Sequence, residues 1–454
     1  MKKSINGVGD FEQSAVTDEA RCGFLSMLVV MLGFTFFSAS MVVGVKMANG
    51  LSFGRFAAAV LVSNLVLGAY CAALAFVASR TGLSVHLLSR QVFGRVGSCL
   101  PSAVLALTQV GWFGVGVAMF AIPTTMFLMD VPALQGSWWL AGETLELAGT
   151  PSLPLRCLVP IAAVSGTLMT SSAYFGMRTL KIVSIIAVPA IVLLGGWSVA
   201  RALWLDGDGG FNALLHHMPA ADSAIGFGMA VSLGIGSFVS GGTCTPDFTR
   251  FSRKPSAAAL ATVIAFLFGN SLMFLFGAVA AMVYGLEDIS TVLCLQGLLV
   301  PAIAVLGLNI WTTNDNAIYT AGLGLSNITG CPKRHLVLVC GFLGTLSSVW
   351  LYAHFCGWLN ILNVLIPPFG AIVLIHLTLW QGRAATPILA VAAWALGSFV
   401  ALCGFGYLPL GLPRSGIPAL DGMAVSAFAY CLLTILGRGS RGRPALPGGA
   451  CGMI

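Results

Sequence analysis

Asn309, Thr312 and Thr313 stand at i, i+3 and i+4, which puts an amide and two hydroxyls on one face of a helix. A hard monovalent cation such as Na⁺ takes oxygen ligands, and neutral hydroxyls together with locally freed backbone carbonyls can supply them. The competing reading is that each threonine bonds back to the carbonyl four residues earlier and does nothing else. Gln109 and Trp112, at i and i+3, put an amide and an indole on one face, and Phe238 lies between Ser237 and Ser240. Two aromatic faces can sandwich a flat ring while amide and hydroxyl groups read its edge. A neutral heteroaromatic ligand fits these groups better than an amino acid or a sugar phosphate. Read alone, Trp112 is a core aromatic, and its pairing with Gln109 points to a ligand only if the segment carrying Phe238 faces it.

Asp315 is either a proton relay or a structural acceptor near a helix break. His354 and His376 stand alone near helix ends and read as interfacial. No nucleophile with a base, metal-binding triad or phosphate loop stands out, which argues against an enzyme.

These groups must be positioned inside apolar segments. The chain has 454 residues, 57% of them hydrophobic and 8% charged, with a mean hydropathy of +0.94. Soluble domains carry roughly 25% charged residues, so this is an all-α polytopic membrane protein with one helical domain. Apolar runs of spanning length lie near 24–47, 56–79, 99–128, 157–176, 180–204, 223–245, 256–284, 298–323, 335–353, 357–379, 387–407 and 416–436, twelve in all. The run at 298–323 holds Gly307-Leu-Asn-Ile-Trp-Thr-Thr-Asn-Asp-Asn316, whose polar groups lipid cannot satisfy. They are expected to face a protein interior or a watery path.

The net charge of +7 invites a nucleic-acid reading, but 17 of the 22 lysines and arginines fall in the termini and the even-to-odd connectors. That bias places both termini in the cytoplasm and leaves no basic patch for nucleic acid. The twelve cysteines form no CxxC pair and sit largely in apolar runs, as small buried hydrophobes do. The acidic start, with Asp10, Glu12, Asp18 and Glu19, is unlike a cleaved signal peptide, so the first span is expected to serve as an uncleaved insertion signal. The connectors at 130–156 and 206–222 read as external caps, with Trp138, Trp139 and Trp204 in an aromatic belt. The tail from 438 to 454 is expected to be disordered.

An internal echo relates the two halves. Gly33-Phe-Thr-Phe-Phe-Ser-Ala-Ser40 in the first span parallels Gly234-Ile-Gly-Ser-Phe-Val-Ser-Gly-Gly-Thr243 in the sixth, and Gln109-Val-Gly-Trp112 in the third parallels Asn309-Ile-Trp311 in the eighth. A five-span shift necessarily inverts the second copy. Inverted repeats with interrupted helices lining a midplane site are the pattern of a secondary transporter. Repeat one is expected at about 24–204, repeat two at about 223–379 and two added helices at about 387–436, inside a transporter domain of 23–437 that follows a cytoplasmic tail of 1–22.

On the stretches at 31–40, 108–123, 236–243 and 307–317, the chain resembles the nucleobase/cation symporter family, its bacterial cytosine permeases in particular. The similarity runs from about Leu25 to Trp380, and 135–155 looks like an insertion. The resemblance implies the twelve-helix fold of amino-acid and nucleobase transporters, a 5+5 inverted repeat plus two C-terminal helices. It implies cytosine between Trp112 and Phe238, with Gln109 and Ser240 on its edge and Ser237 and Asn314 as further contacts. It also implies a Na⁺ site from the carbonyls of Gly33, Phe37 and Asn309 and the hydroxyls of Thr312 and Thr313, with Na⁺ as coupling ion and no organic cofactor. The expectation is sodium symport of cytosine across a bacterial inner membrane by alternating access. The alternative is proton-coupled transport of cytosine or of a related nucleobase or hydantoin-type ring. Membrane lipid is the only further partner expected, with no obligatory protein partner.

Overall fold

The computed structural model describes residues 11–147, 151–175, 177–205, 210–285, 292–293, 295–380, 386–408, 410 and 415–439. The chain runs through α1 (Phe24–Thr35), α2 (Ser38–Gly50), α3 (Phe53–Thr81), α4 (Val85–Gly97), α5 (Cys99–Met129), α6 (Leu155–Tyr174) and α7 (Met177–Trp204). The short α8 (Gly210–Leu215) follows, then α9 (Phe227–Gly236), α10 (Val239–Thr243), α11 (Pro246–Thr249), α12 (Pro255–Ile264) and α13 (Ser271–Tyr284). Last come α14 (Leu299–Thr329), α15 (Lys333–Ala353), α16 (Phe355–Leu379), α17 (Pro387–Gly404) and α18 (Pro418–Gly439).

Nine described helices are long and apolar enough to cross a membrane, or up to eleven when each bent pair is taken as one span. The 31-residue α14 is about 46 Å long at 1.5 Å per residue, and its central polar run lowers its hydropathy. Each of the twelve expected spans therefore coincides with a helix or a bent pair.

The two interruptions expected in the first and sixth spans are present and bend alike. α1 and α2 meet at 53°, and α9 meets the α10–α11 arm at 52°. At the first break Phe36 donates to Leu32, Phe37 donates only to Thr35, and Ser40 donates to Phe37, so the regular ladder fails around two residues. Phe37 is extended, with φ −120° and ψ 123°. At the second, Phe238 leaves helical geometry with φ −135° and ψ −8°, among Gly236, Gly241 and Gly242, which favour helix weakly.

α2 packs backbone to backbone against α13: a Cβ on Gly44 would collide with the Phe274 carbonyl, and one on Gly277 with that of Met41. Such small-residue contacts let membrane helices approach closely. Between α12 and α13, Ala265–Asn270 forms a π turn. Outside the bundle, Thr144–Leu145 and Leu153–Pro154 pair antiparallel, and the Arg156 guanidinium lies 4.7 Å over the exposed Trp138 ring. The expected tail lies outside the described residues from 440 onward, as do 1–10 and the start of the 206–222 connector.

Candidate functional site

Four elements converge on a small central cavity: the α1–α2 break, α5, the α9–α10 break and α14. Phe34 and Phe37 line it from the first break, Gln109 and Trp112 from α5, Ser237, Phe238 and Gly241 from the second break, and Thr313, Asn314 and Ala317 from α14. The faces read separately from the sequence thus meet in one place, and the segment carrying Phe238 does face Trp112.

The aromatic walls are fixed by edge contacts. Phe238 lies 5.0 Å from Phe34 and 5.2 Å from Phe266 between ring centroids, both near perpendicular. Trp112 lies 5.1 Å from Phe37 and 5.8 Å from Phe355. Its indole N–H donates to the Ser240 hydroxyl at 2.6 Å. Ser240 is wholly buried and does not line the cavity, whereas Gln109, Trp112, Ser237, Phe238 and Asn314 do.

Among the polar groups, Gln109 Nε2 has a weak contact to Cys244 Sγ at 3.6 Å, leaving the amide free to turn to a stronger partner. Ser237 donates to the Gly234 carbonyl at 2.8 Å. Asn314 donates to the Phe113 carbonyl at 3.2 Å, and its carboxamide lies against Gly116, where a Cβ would overlap it. The ring walls Phe34 and Phe37 were missed from the sequence as side chains, although both stand in the interruption that drew attention to its backbone.

The oxygens proposed for an ion lie beside this cavity. Thr312 Oγ1 is 2.7 Å from the Asn309 carbonyl and 3.3 Å from the Gly33 carbonyl. Thr313 Oγ1 is 3.2 Å from the Asn309 carbonyl and 3.0 Å from that of Ile310. Thr313 therefore makes the back-bond to the carbonyl four residues earlier that was the competing reading, whereas Thr312 bonds back three residues and also reaches the other helix. For an ion with oxygen bonds of roughly 2.4 Å, adjacent ligands sit about 3.4 Å apart, close to the Thr312–Gly33 spacing. The Phe37 carbonyl accepts from Ser40 N–H at 2.9 Å at the start of α2. Asn309 completes the contact between helices: its Nδ2 donates to the Phe36 carbonyl and its Oδ1 accepts from Ser38 Oγ at 2.8 Å. Among the described residues, no group of three or more His, Cys, Asp or Glu could hold a metal ion.

Asp315 points elsewhere. It is fully buried, and its Oδ1 accepts from Ser172 Oγ of α6 at 2.5 Å, while Trp311 Nε1 donates to the same hydroxyl at 2.7 Å. His354 is exposed and stacked on Trp350 as an interfacial residue would be. His376 corrects the sequence reading: it is 2% exposed, with Nδ1 2.7 Å from the Tyr430 hydroxyl, because α18 covers a face that the sequence of α16 alone leaves open.

The permease family for cytosine/purines, uracil, thiamine and allantoin matches residues 15–409. A cytosine permease of Escherichia coli (strain K12) is 47% identical over 365 residues, 80% of this chain and 80% of that protein, and the cytosine permease of Escherichia coli O157:H7 matches to the same extent. Among solved structures, Mhp1, a nucleobase-cation-symport-1 family transporter in a closed conformation with bromovinylhydantoin bound, matches with a TM-score of 0.75 at 15% identity, over 96% of this chain and 97% of that one. A Na⁺-coupled sialic acid symporter in a substrate-bound outward-open state matches at 0.66 and 10% identity, over 96% and 93%. At these identities the two structures establish the fold, a 5+5 inverted repeat with two added helices.

Proposed function

The chain belongs to the permease family for cytosine/purines, uracil, thiamine and allantoin and is a multi-pass membrane transporter rather than an enzyme, and on that premise we propose that it imports cytosine by Na⁺ symport. The observation that carries the proposal is the adjacency of two sites on α14: Thr313 lines the cavity that Trp112 and Phe238 wall, and Thr312 meets the Gly33 carbonyl beside it. Cytosine stacks between Trp112 and Phe238, with Gln109, Ser237 and Asn314 along its edge and Ser240 acting through the indole it holds. Na⁺ takes the carbonyls of Gly33, Phe37 and Asn309 and the hydroxyls of Thr312 and Thr313.

Both broken helices contribute to the paired sites, so movement of one half against the other opens or closes them together, as alternating access requires. Cytosine is neutral near pH 7, so each Na⁺ carries one net positive charge inward. A membrane potential of about 100 mV contributes roughly 2.3 kcal/mol per charge, which is several tens-fold accumulation before the Na⁺ gradient acts. The positive-inside bias supports cytoplasmic termini in a bacterial inner membrane. The paired bends support repeats at about 24–204 and 223–379, with added helices at about 387–436.

Labelled cytosine uptake into proteoliposomes tests the proposal. Accumulation with an inward Na⁺ gradient, abolished when choline replaces Na⁺, is expected. Equal uptake in the two salts overturns Na⁺ coupling in favour of proton coupling, and stronger competition by uracil, a purine or a hydantoin reassigns the substrate.

A further inference from the structure

The carboxamide of Asn309 spans the break in the first helix. Its Nδ2 meets the carbonyl of Phe36, and its Oδ1 accepts the hydroxyl of Ser38 at 2.8 Å. Between these two anchors lies Phe37, whose ring lines the cavity 5.1 Å from Trp112. Asn309, Phe36 and Ser38 are all buried and none of them lines the cavity. The Phe36 carbonyl has lost its place in the helical ladder, because Ser40 N–H turns to Phe37 instead. Without Asn309 it would be a buried acceptor in apolar surroundings, a costly arrangement.

The backbone of the same residue faces the ion site. Its carbonyl receives the Thr312 hydroxyl at 2.7 Å, and that hydroxyl lies 3.3 Å from the Gly33 carbonyl. One residue of α14 therefore touches the ion-facing oxygens with its main chain and both sides of the helix break with its side chain. Rotation of α2 against α1 must break at least one of the two side-chain bonds.

We infer that the Asn309 carboxamide is a positioning residue that staples the α1–α2 break and so transmits occupancy of the ion site to the Phe37 wall of the ring site, an inference that rests on the proposed Na⁺ site. The carboxamide itself ligates neither ion nor ring. Its work is to keep the Gly33 and Phe37 carbonyls and the Phe37 ring on one rigid strip. By linkage, an ion that favours this arrangement raises ring affinity by the same factor that the ring raises ion affinity.

The test uses the full chain in detergent, with cytosine binding measured across a Na⁺ series and with Na⁺ replaced by choline. Asn309→Ala is expected to raise half-saturating Na⁺ by about tenfold or more, for two lost buried hydrogen bonds, and to bring the ratio of cytosine affinities with and without Na⁺ close to one. Ser38→Ala removes one bond of the two and is expected to shift half-saturating Na⁺ by an intermediate factor of about three to five. Wild-type Na⁺ dependence in either variant overturns the staple, and Ser38→Ala keeps the test decisive if Asn309→Ala fails to fold. Amide hydrogen exchange at residues 36–40, measured without Na⁺, separates the two levels of the claim. A wild type indifferent to Na⁺ overturns the symport reading, whereas unchanged exchange at the break in Ser38→Ala and Asn309→Ala overturns the staple whatever ion couples transport.

Discussion

Trp112 donates its indole N–H to Ser240 across 2.6 Å, from α5 to the far arm of the second broken helix. The bond fixes the tilt of the ring that walls the cavity and ties that tilt to the α9–α10 break. Ser240→Ala leaves the indole N–H buried without an acceptor, a loss of about 1–3 kcal/mol. Cytosine binding is expected to weaken several-fold, with Ser240→Thr restoring it. In a Trp112→Phe background, Ser240→Ala is expected to cost nothing further. An undiminished cost there means that Ser240 touches the substrate directly, as the family resemblance alone implied.

Trp112→Ala removes one face of the stack. Base–aromatic stacking is worth about 1–3 kcal/mol per base, so cytosine affinity is expected to fall by roughly 5- to 150-fold. Trp112→Phe is expected to recover part of it. Equilibrium binding on the purified protein, with its melting temperature as a check on folding, measures both. An affinity unchanged in Trp112→Ala removes the ring from the site.

Thr312 reaches the first helix, whereas Thr313 bonds only within α14 and lines the cavity. Thr312→Ala is therefore expected to raise half-saturating Na⁺ by about five- to tenfold while cytosine affinity at saturating Na⁺ stays within about twofold. Thr313→Ala is expected to disturb both quantities. Equal effects of the two variants on both sites would dissolve the division of labour between adjacent threonines.

What the sequence discloses and what it hides follow from the range of the interactions. The face shared by Asn309, Thr312 and Thr313 was legible because helical spacing fixes it, and the two breaks were legible because glycine and hydroxyl residues interrupt apolar runs. The coming together of Gln109, Trp112 and Phe238 required the fold, since it depends on how the second broken helix lies against α5. The partners of Asn309 lie about 270 positions away along the chain, and nothing local announces them. Phe34 was overlooked because a phenylalanine in an apolar helix carries no polar signal. His376 was misplaced for the complementary reason: a lone histidine near a helix end resembles an interfacial residue until Tyr430, 54 positions later, covers it.

His86 gives a pH dependence whose sign follows from burial. It sits in α4, in the connector after the second span, 1% exposed, with Nδ1 3.1 Å from Ser102 Oγ and Nε2 4.0 Å from Asp247 Oδ2. Burial pushes its pKa below the ordinary histidine value; Asp247 pulls in the opposite direction without overcoming it, and Arg250 and Arg90 add to the lowering. The unfolded chain, with a histidine pKa near about 6.5, therefore binds more protons than the native state once the pH falls to that region. Stability then decreases as the pH drops below about 6.5 and continues to decrease until the lowered native pKa is reached. Above that window His86 is neutral in both states and contributes no slope. The melting temperature of the detergent-solubilised protein is expected to be flat from about pH 7 to 8 with respect to this group and to fall on acidification, and His86→Gln, which keeps a polar side chain beside Ser102 but cannot titrate, is expected to flatten the fall. A wild type and His86→Gln with the same acid slope would assign the loss to other groups. A wild type that is stabilised on acidification would mean that Asp247 holds the imidazole charged, as an ion pair between α4 and α11.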